Sequence, residues 1–291
     1  MKLIVQLSLI LALLFSTEAW AQKMEGIATY KTQRKMDIQL DSSQVDDGMK
    51  EQIMAMMKKQ SEKEFTLQFS QDESLYTEVE KLDKPSGMTG GMVFEVQVIG
   101  DGAGDVLYKN LAQNRYTNQT ESFSKQFLIK DQIKAREWKL EKESKNIGNY
   151  ACFKATYTYE RPVQRVMSFS INDASEDESE ETEEETPEME TITVTAWYTP
   201  QIPVKNGPSQ YDGLPGMILE ISDGNLSVLC SKVVLNPNGG IDLKEPKGGK
   251  EVTQEKYEAM MDKKMKEMEE QFQSDGRRNQ GGHGIEIRIG G

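Results

Sequence analysis

No helix and no central strand can run unbroken from Trp197 through to Ile221. Thr199-Pro200, Ile202-Pro203, Gly207-Pro208 and Leu214-Pro215 fall in quick succession. Each proline removes a backbone donor and holds φ near −65°. A strand-like run, Thr191 to Tyr198, leads into this segment, and another resumes at Met217. Leu214-Pro215-Gly216-Met217 has the residue order of a type II turn, with proline second and glycine third. The segment is therefore predicted to be a rigid loop between two strands. It has two readings. In one, the Pro-Gly turns fix a strand crossing, with Trp197 and Tyr198 packed beneath. In the other, the loop walls a ligand site, with Trp197, Tyr198 and Leu214 as apolar anchors and Asn206, Tyr211 and Asp212 as polar contacts.

The rest of the chain reads as short strands separated by glycine and asparagine turns. Phe65 to Phe69 alternates, and Gly26–Lys31, Ser74–Val79, Met92–Ile99, Val106–Tyr108, Gln113–Tyr116, Ser122–Ile129 and Tyr150–Tyr159 are further candidates. Met217–Ser222 and Asn225–Leu235 form a predicted hairpin around Asp223-Gly224. The fold class expected is mainly β: a single antiparallel sheet curved into a half-barrel or bowl, with two amphipathic helices. The first helix is capped by Ser42 or Ser43 and carries Met49, Ile53, Met56 and Met57 on one face. The second starts after Thr253 with a stripe of Tyr257, Met260, Met261, Met265, Met268 and Phe272.

Met1-Lys2, the apolar run Leu3–Phe15 and Ala19-Trp20-Ala21 have the layout of a secretory signal peptide cleaved before Gln22. The expected organisation is a signal peptide over 1–21, an antiparallel β domain over 22–248, a Met-rich amphipathic helix over 249–275 and a Gly-rich tail over 276–291, in which the alternating Ile285–Ile289 either adds a terminal strand or stays a free tail. The chain is expected to be exported, to the periplasm or beyond, with no transmembrane segment once the signal is removed. Its formal net charge is −13, but Asp173 to Glu190 alone holds eleven acidic residues and no basic one, which leaves the remainder near −2. That run predicts a disordered acidic insert over 172–190 between two hairpin strands. It lacks the central glycine of an EF-hand loop. The chain also lacks the basic patch that a nucleic-acid partner requires.

Gly213-Leu214-Pro215-Gly216-Met217-Ile218 resembles the signature of the GLPGLI family of exported Bacteroidetes proteins, with Met217 where that signature has leucine. Trp197–Pro203, Asn206-Gly207-Pro208, Ile147–Thr156, Phe127–Asp131 and Trp138-Lys139-Leu140 are similar to the family as well. The resemblance implies an exported protein and brings no established activity with it.

Chemistry-bearing residues are few. His283 is the only histidine, in a glycine-rich stretch, so neither a Ser-His-Asp set nor a histidine-based zinc site can be assembled in the folded body. No cofactor is called for, and no catalytic residue stands out. Cys152 and Cys230, the only cysteines, are either bridged or separately buried; strand positions leave both open. Sixteen methionines, with Met88 and Met92 in a glycine loop, raise copper(I) ligation by thioether sulfur as the alternative to packing. The expected function is a non-catalytic envelope accessory or binding protein, holding an apolar ligand or docking on an outer-membrane transport partner. Periplasmic copper handling through methionine sulfur is the alternative.

Overall fold

The computed structural model describes residues 24–34, 37–40, 48, 62–79, 105–162, 189–276 and 287–290. The signal peptide, the first expected helix, Met88 and Met92, the expected strand over 92–99, the insert up to residue 188 and His283 lie outside the described residues.

The architecture is mainly β. The strands are β1 (Gly26–Arg34), β2 (Asp37–Leu40), β3 (Glu62–Phe69), β4 (Glu73–Glu78), β5 (Val106–Asn110), β6 (Arg115–Ser122), β7 (Lys125–Gln132), β8 (Lys139–Ile147), β9 (Tyr150–Pro162), β10 (Met189–Thr199), β11 (Met217–Ser222), β12 (Leu226–Leu235), β13 (Lys250–Val252) and β14 (Ile287–Gly290). Twelve of them make one sheet in the order β13-β7-β6-β5-β4-β3-β1-β12-β11-β10-β9-β8, which does not close on itself. β2 and β14 pair with each other in a separate two-stranded sheet. One helix, α1 (Gln254–Gly276), stands among the described residues. Its start is capped as the sequence predicts: the Lys256 amide donates to Thr253 Oγ1 at 3.4 Å.

The sheet is mixed, not purely antiparallel, because β13 runs parallel to β7. The sequence offered no strand here. The link 236–249 carries the chain from β12 to the far edge of the sheet, where β13 lies against β7. The Arg115 guanidinium grips Glu245 of that link with two hydrogen bonds, of 2.7 and 3.0 Å, and Thr117 Oγ1 donates to the same carboxylate at 2.6 Å.

Two expected strand boundaries move. Ser122–Ile129 is broken by a hairpin turn at Phe123 and Ser124, whose φ values are +51° and +58°. Neither residue is of a type that favours this backbone, so no local signal marked the turn. At the acidic run, β10 already begins at Met189, and Glu190 accepts from Arg161 Nε at 2.6 Å. The continuing β9–β10 register, Pro162 opposite Met189, draws the last residues of the run into the sheet.

The core lies on one face of the sheet. Along β10, Val194, Ala196 and Tyr198 are buried, while the residues between them are half-buried or exposed. Ala28 and Tyr30 of β1, Leu67 and Phe69 of β3, and Ile221 and Val228 of the β11–β12 hairpin join them. Ile202, Val204 and Leu214, all from the proline-rich loop, belong to the same cluster. That loop supplies the covering layer that a helix or second sheet usually provides. β8, at one end of the sheet, is charged along its length through Lys139, Glu141, Lys142, Glu143 and Lys145, which discourages edge-to-edge pairing.

Candidate functional site

A loop buried against a sheet needs partners for its backbone, since prolines and turns leave carbonyls unpaired. Several side chains from distant strands meet this need. Just beyond the loop, Tyr30 of β1 donates its hydroxyl to the Ile218 carbonyl in β11 at 2.7 Å. Trp138 donates its indole N–H to the Asp212 carbonyl at 2.9 Å. Lys109 of β5, only 1% exposed, donates through Nζ to the carbonyls of Gly207 at 3.2 Å and Tyr211 at 3.0 Å. Within the loop, the Met217 amide donates to Ile202 and the Ile218 amide to Asn206.

The turn before β11 is not type II. The Gly216 amide donates to the Leu214 carbonyl at 2.8 Å, and Met217 donates across to Ile202 at 3.0 Å rather than back to Leu214. Glycine is required here by proximity. A Cβ on Gly216 would lie 2.2 Å from the Thr199 carbonyl oxygen. On Gly207 it would lie 2.7 Å from the Cβ of Ile218.

Lys109 carries a charge into this interior, and Asp212 answers it at 3.9 Å. Arg136, in the link between β7 and β8, stands 3.6 Å from the other oxygen of Asp212, with its guanidinium 5.4 Å over the Tyr211 ring. Trp138 packs edge-on to Tyr157 at 4.7 Å. Burial pulls the Lys109 ammonium down to about 8, against the nearby Asp212 carboxylate. Burial pushes Asp212 up, against the pull of Lys109 and Arg136. A lysine of this kind has the acidity of a general base. The loop covers it, however, and its ammonium is taken up by the carbonyls of Gly207 and Tyr211, with the Asp212 carboxylate beside them.

The same burial governs behaviour in alkali. Burial lifts the Cys230 thiol to about 11 and the Tyr116 hydroxyl to about 12, and it raises Tyr30 and Tyr211 as well. A group raised on folding contributes stability that is complete below its unfolded pKa and is lost as pH climbs through its folded one. Lys109 has the opposite sign: its burial penalty is full below about 8 and fades as pH rises towards its ordinary value of 10.5. Burial raises Tyr108, Tyr157 and Cys152 in the same direction, so several groups oppose one, and we expect the thermal midpoint followed by circular dichroism to fall steeply above about pH 10. A midpoint that rises from pH 9 to 11 would contradict this assignment.

The six residues expected to line a ligand site are placed as follows. Tyr198, Asn206, Asp212 and Leu214 are buried. Tyr211 is half-buried beneath Arg136. Trp197 points to the opposite face from Tyr198, as neighbours in a strand must. Lys145 Nζ lies 4.3 Å over its ring and also holds Glu220 at 2.7 Å. Asn206 bridges to Asp212 through the backbone, and its Oδ1 accepts from the Gly207 amide. Cys152 and Cys230 are both buried as free thiols. Lys109 and Arg136 are essential to this cluster and had no mark in the sequence beyond being single cations on β-rich segments.

Open space lies elsewhere. A cavity of about 580 Å³ separates the β6–β7 turn from α1. Its apolar lining is Phe123, Phe127, Met260 and Met261. The first turns of α1 are anchored: Ser122 Oγ and the Tyr257 hydroxyl lie 2.7 Å apart, and the Tyr257 ring packs edge-on to Phe127 at 5.4 Å. Beyond Tyr257, Met260, Met261, Met265 and Met268 remain only half-buried. A second cavity of about 580 Å³ flanks the same helix, against Ala259, Asp262 and Lys266. Among the described residues no three His, Cys, Asp or Glu side chains converge as a metal site, and no helix is long and apolar enough to cross a membrane.

With this geometry in hand, residues 138–220 match the model of a family described as a protein of unknown function, Porph_ging. The matched span opens at Trp138 and closes at Glu220, and so contains the loop and the β8–β11 strands around it. No curated protein matches the chain. Among solved structures, PNGF-II in a C2 crystal form is similar with a TM-score of 0.44 and 15% identity, over 81% of this chain and 32% of that one. PNGF-II in a P21 form gives 0.43 and 15%, over 81% and 33%. The chain thus spans about a third of the length of these structures.

Proposed function

We propose that the protein is an exported, non-catalytic envelope protein that holds an apolar ligand. The observation that carries this reading is the cleft between the β6–β7 turn and α1. Phe123, Phe127, Met260 and Met261 leave apolar surface facing a space of about 580 Å³. That volume falls within the usual range of small-molecule sites. Methionines adapt their shape to a guest more readily than branched side chains. The leader-like sequence over 1–21 supports export. The proline-rich loop, in this reading, is the rigid filling of an open half-barrel and holds the sheet that presents the cleft. Contacts from β5 and the β7–β8 link to the same loop, and from β1 to Ile218 just beyond it, support that curvature.

Native mass spectrometry of the protein from its own periplasm tests the reading. We expect a mature chain beginning at Gln22 and a retained mass of small-molecule size, lost when Met260→Asp places a charge in the cleft. A bare polypeptide mass, unchanged by lipid extracts added back, would count against ligand holding. An uncleaved leader would count against export.

A further inference from the structure

We propose that the ligand of this cleft is a single-chain anionic amphiphile, with its acyl chain along Phe123, Phe127, Met260 and Met261 and its acidic head at a lysine rim. The inference rests on the ligand-holding reading above and adds the chemistry of the ligand. The chain as a whole carries −13. Around this one cleft the balance reverses. Lys125, Lys250, Lys263 and Lys264 line it against a single carboxylate, Glu267. Glu267 is already engaged by both Lys263 and Lys264. Lys125 and Lys250, one at the start of β7 and the other at the start of β13, face the cleft with no acidic residue lining their side of it.

The placement of the two chemistries matters as much as their presence. Phe127 is buried and Phe123 half-buried, while all four lysines are exposed. Apolar surface therefore lies at the floor and cationic groups at the lip. An amphiphile satisfies both at once: its chain leaves water at the floor, and its head stays solvated beside ammonium groups. A neutral hydrocarbon would use only the floor. A flat bilayer surface would meet the lip but could not enter a slot between a helix and a hairpin turn. The occupant is therefore a monomeric amphiphile, of the carboxylate or phosphate class.

Isothermal titration of the mature, full-length protein with laurate and with uncharged dodecyl maltoside, both below micelle formation, tests this. We expect laurate to bind more tightly, and the difference to shrink as salt rises. Exchanging Lys125 and Lys263 for serine should weaken laurate by about fivefold and leave dodecyl maltoside unchanged. Both positions are exposed, so the fold should survive, and a thermal midpoint equal to that of the parent confirms it. Equal binding of the two amphiphiles would overturn the anionic head and leave the apolar-ligand reading standing. Binding of neither would overturn both. Binding to vesicles containing anionic lipid, without binding to monomeric laurate, would overturn the slot in favour of a surface contact.

Discussion

Replacing Gly216 with alanine should cost about 3 kcal/mol or more, the upper range for overpacking a site that cannot relax. The added Cβ would stand 2.2 Å from the Thr199 carbonyl oxygen and 2.6 Å from its carbon, both of them backbone atoms. No side chain can swing away to make room. Relief requires lifting the loop from the end of β10, and the loop carries Ile202, Val204 and Leu214 of the core with it. Two other glycines calibrate the effect. Gly224, at φ +94° in the β11–β12 turn, has no atom within 4 Å of an added Cβ, so alanine there should cost only the backbone strain, about 1 kcal/mol. Gly239 has open space and no positive φ, so alanine there should change stability by less than about 0.5 kcal/mol. Urea unfolding of the three variants would show this order. If Gly216→Ala were as mild as Gly239→Ala, the loop could not be seated on Thr199 as described.

Lys109→Met should be nearly as damaging, by about 3–5 kcal/mol, the cost of removing one partner from a buried pair. Methionine keeps the length of the lysine stem but none of its donors. The carbonyls of Gly207 and Tyr211 lose their hydrogen bonds, and Asp212 loses its nearest ammonium. Arg136 remains 3.6 Å from the carboxylate and compensates in part. Adding Asp212→Asn to Lys109→Met removes the stranded charge, so the double variant should be more stable than the sum of the single losses predicts. Chemical denaturation of the four members of that cycle measures the coupling. Strict additivity would mean that Lys109 serves the carbonyls alone, and a single-variant loss below about 1 kcal/mol would mean that the ammonium is hydrated.

Much of the strand succession was legible in the sequence because alternation and turn chemistry are local. Met217–Ser222 matches β11 to the residue. The β11–β12 turn was visible at Asp223-Gly224, where glycine takes positive φ. The β6–β7 turn was not visible, because Phe123 and Ser124 take φ values that neither type favours and only the ladder around them enforces. β13 was missed for a similar reason. Three residues, Lys250 to Val252, show no periodicity and become a strand only because β7 offers an open edge.

The candidate site divides along the same line. Proline and glycine spacing by itself determined that residues 199 to 216 form a rigid loop, because φ restriction and missing donors are properties of the residues themselves. It could not determine which way that loop faces. The side chains that decide the matter, Tyr30, Lys109, Arg136 and Trp138, lie far from the loop in the chain, and pairing across such distances leaves no periodic trace. Only the tertiary structure turned Asn206, Asp212 and Leu214 inward and brought Met260 and Met261 of α1 to the cleft that Phe123 and Phe127 line. Burial depends on what arrives to cover a surface, and here the cover is a loop held in place by side chains from distant strands.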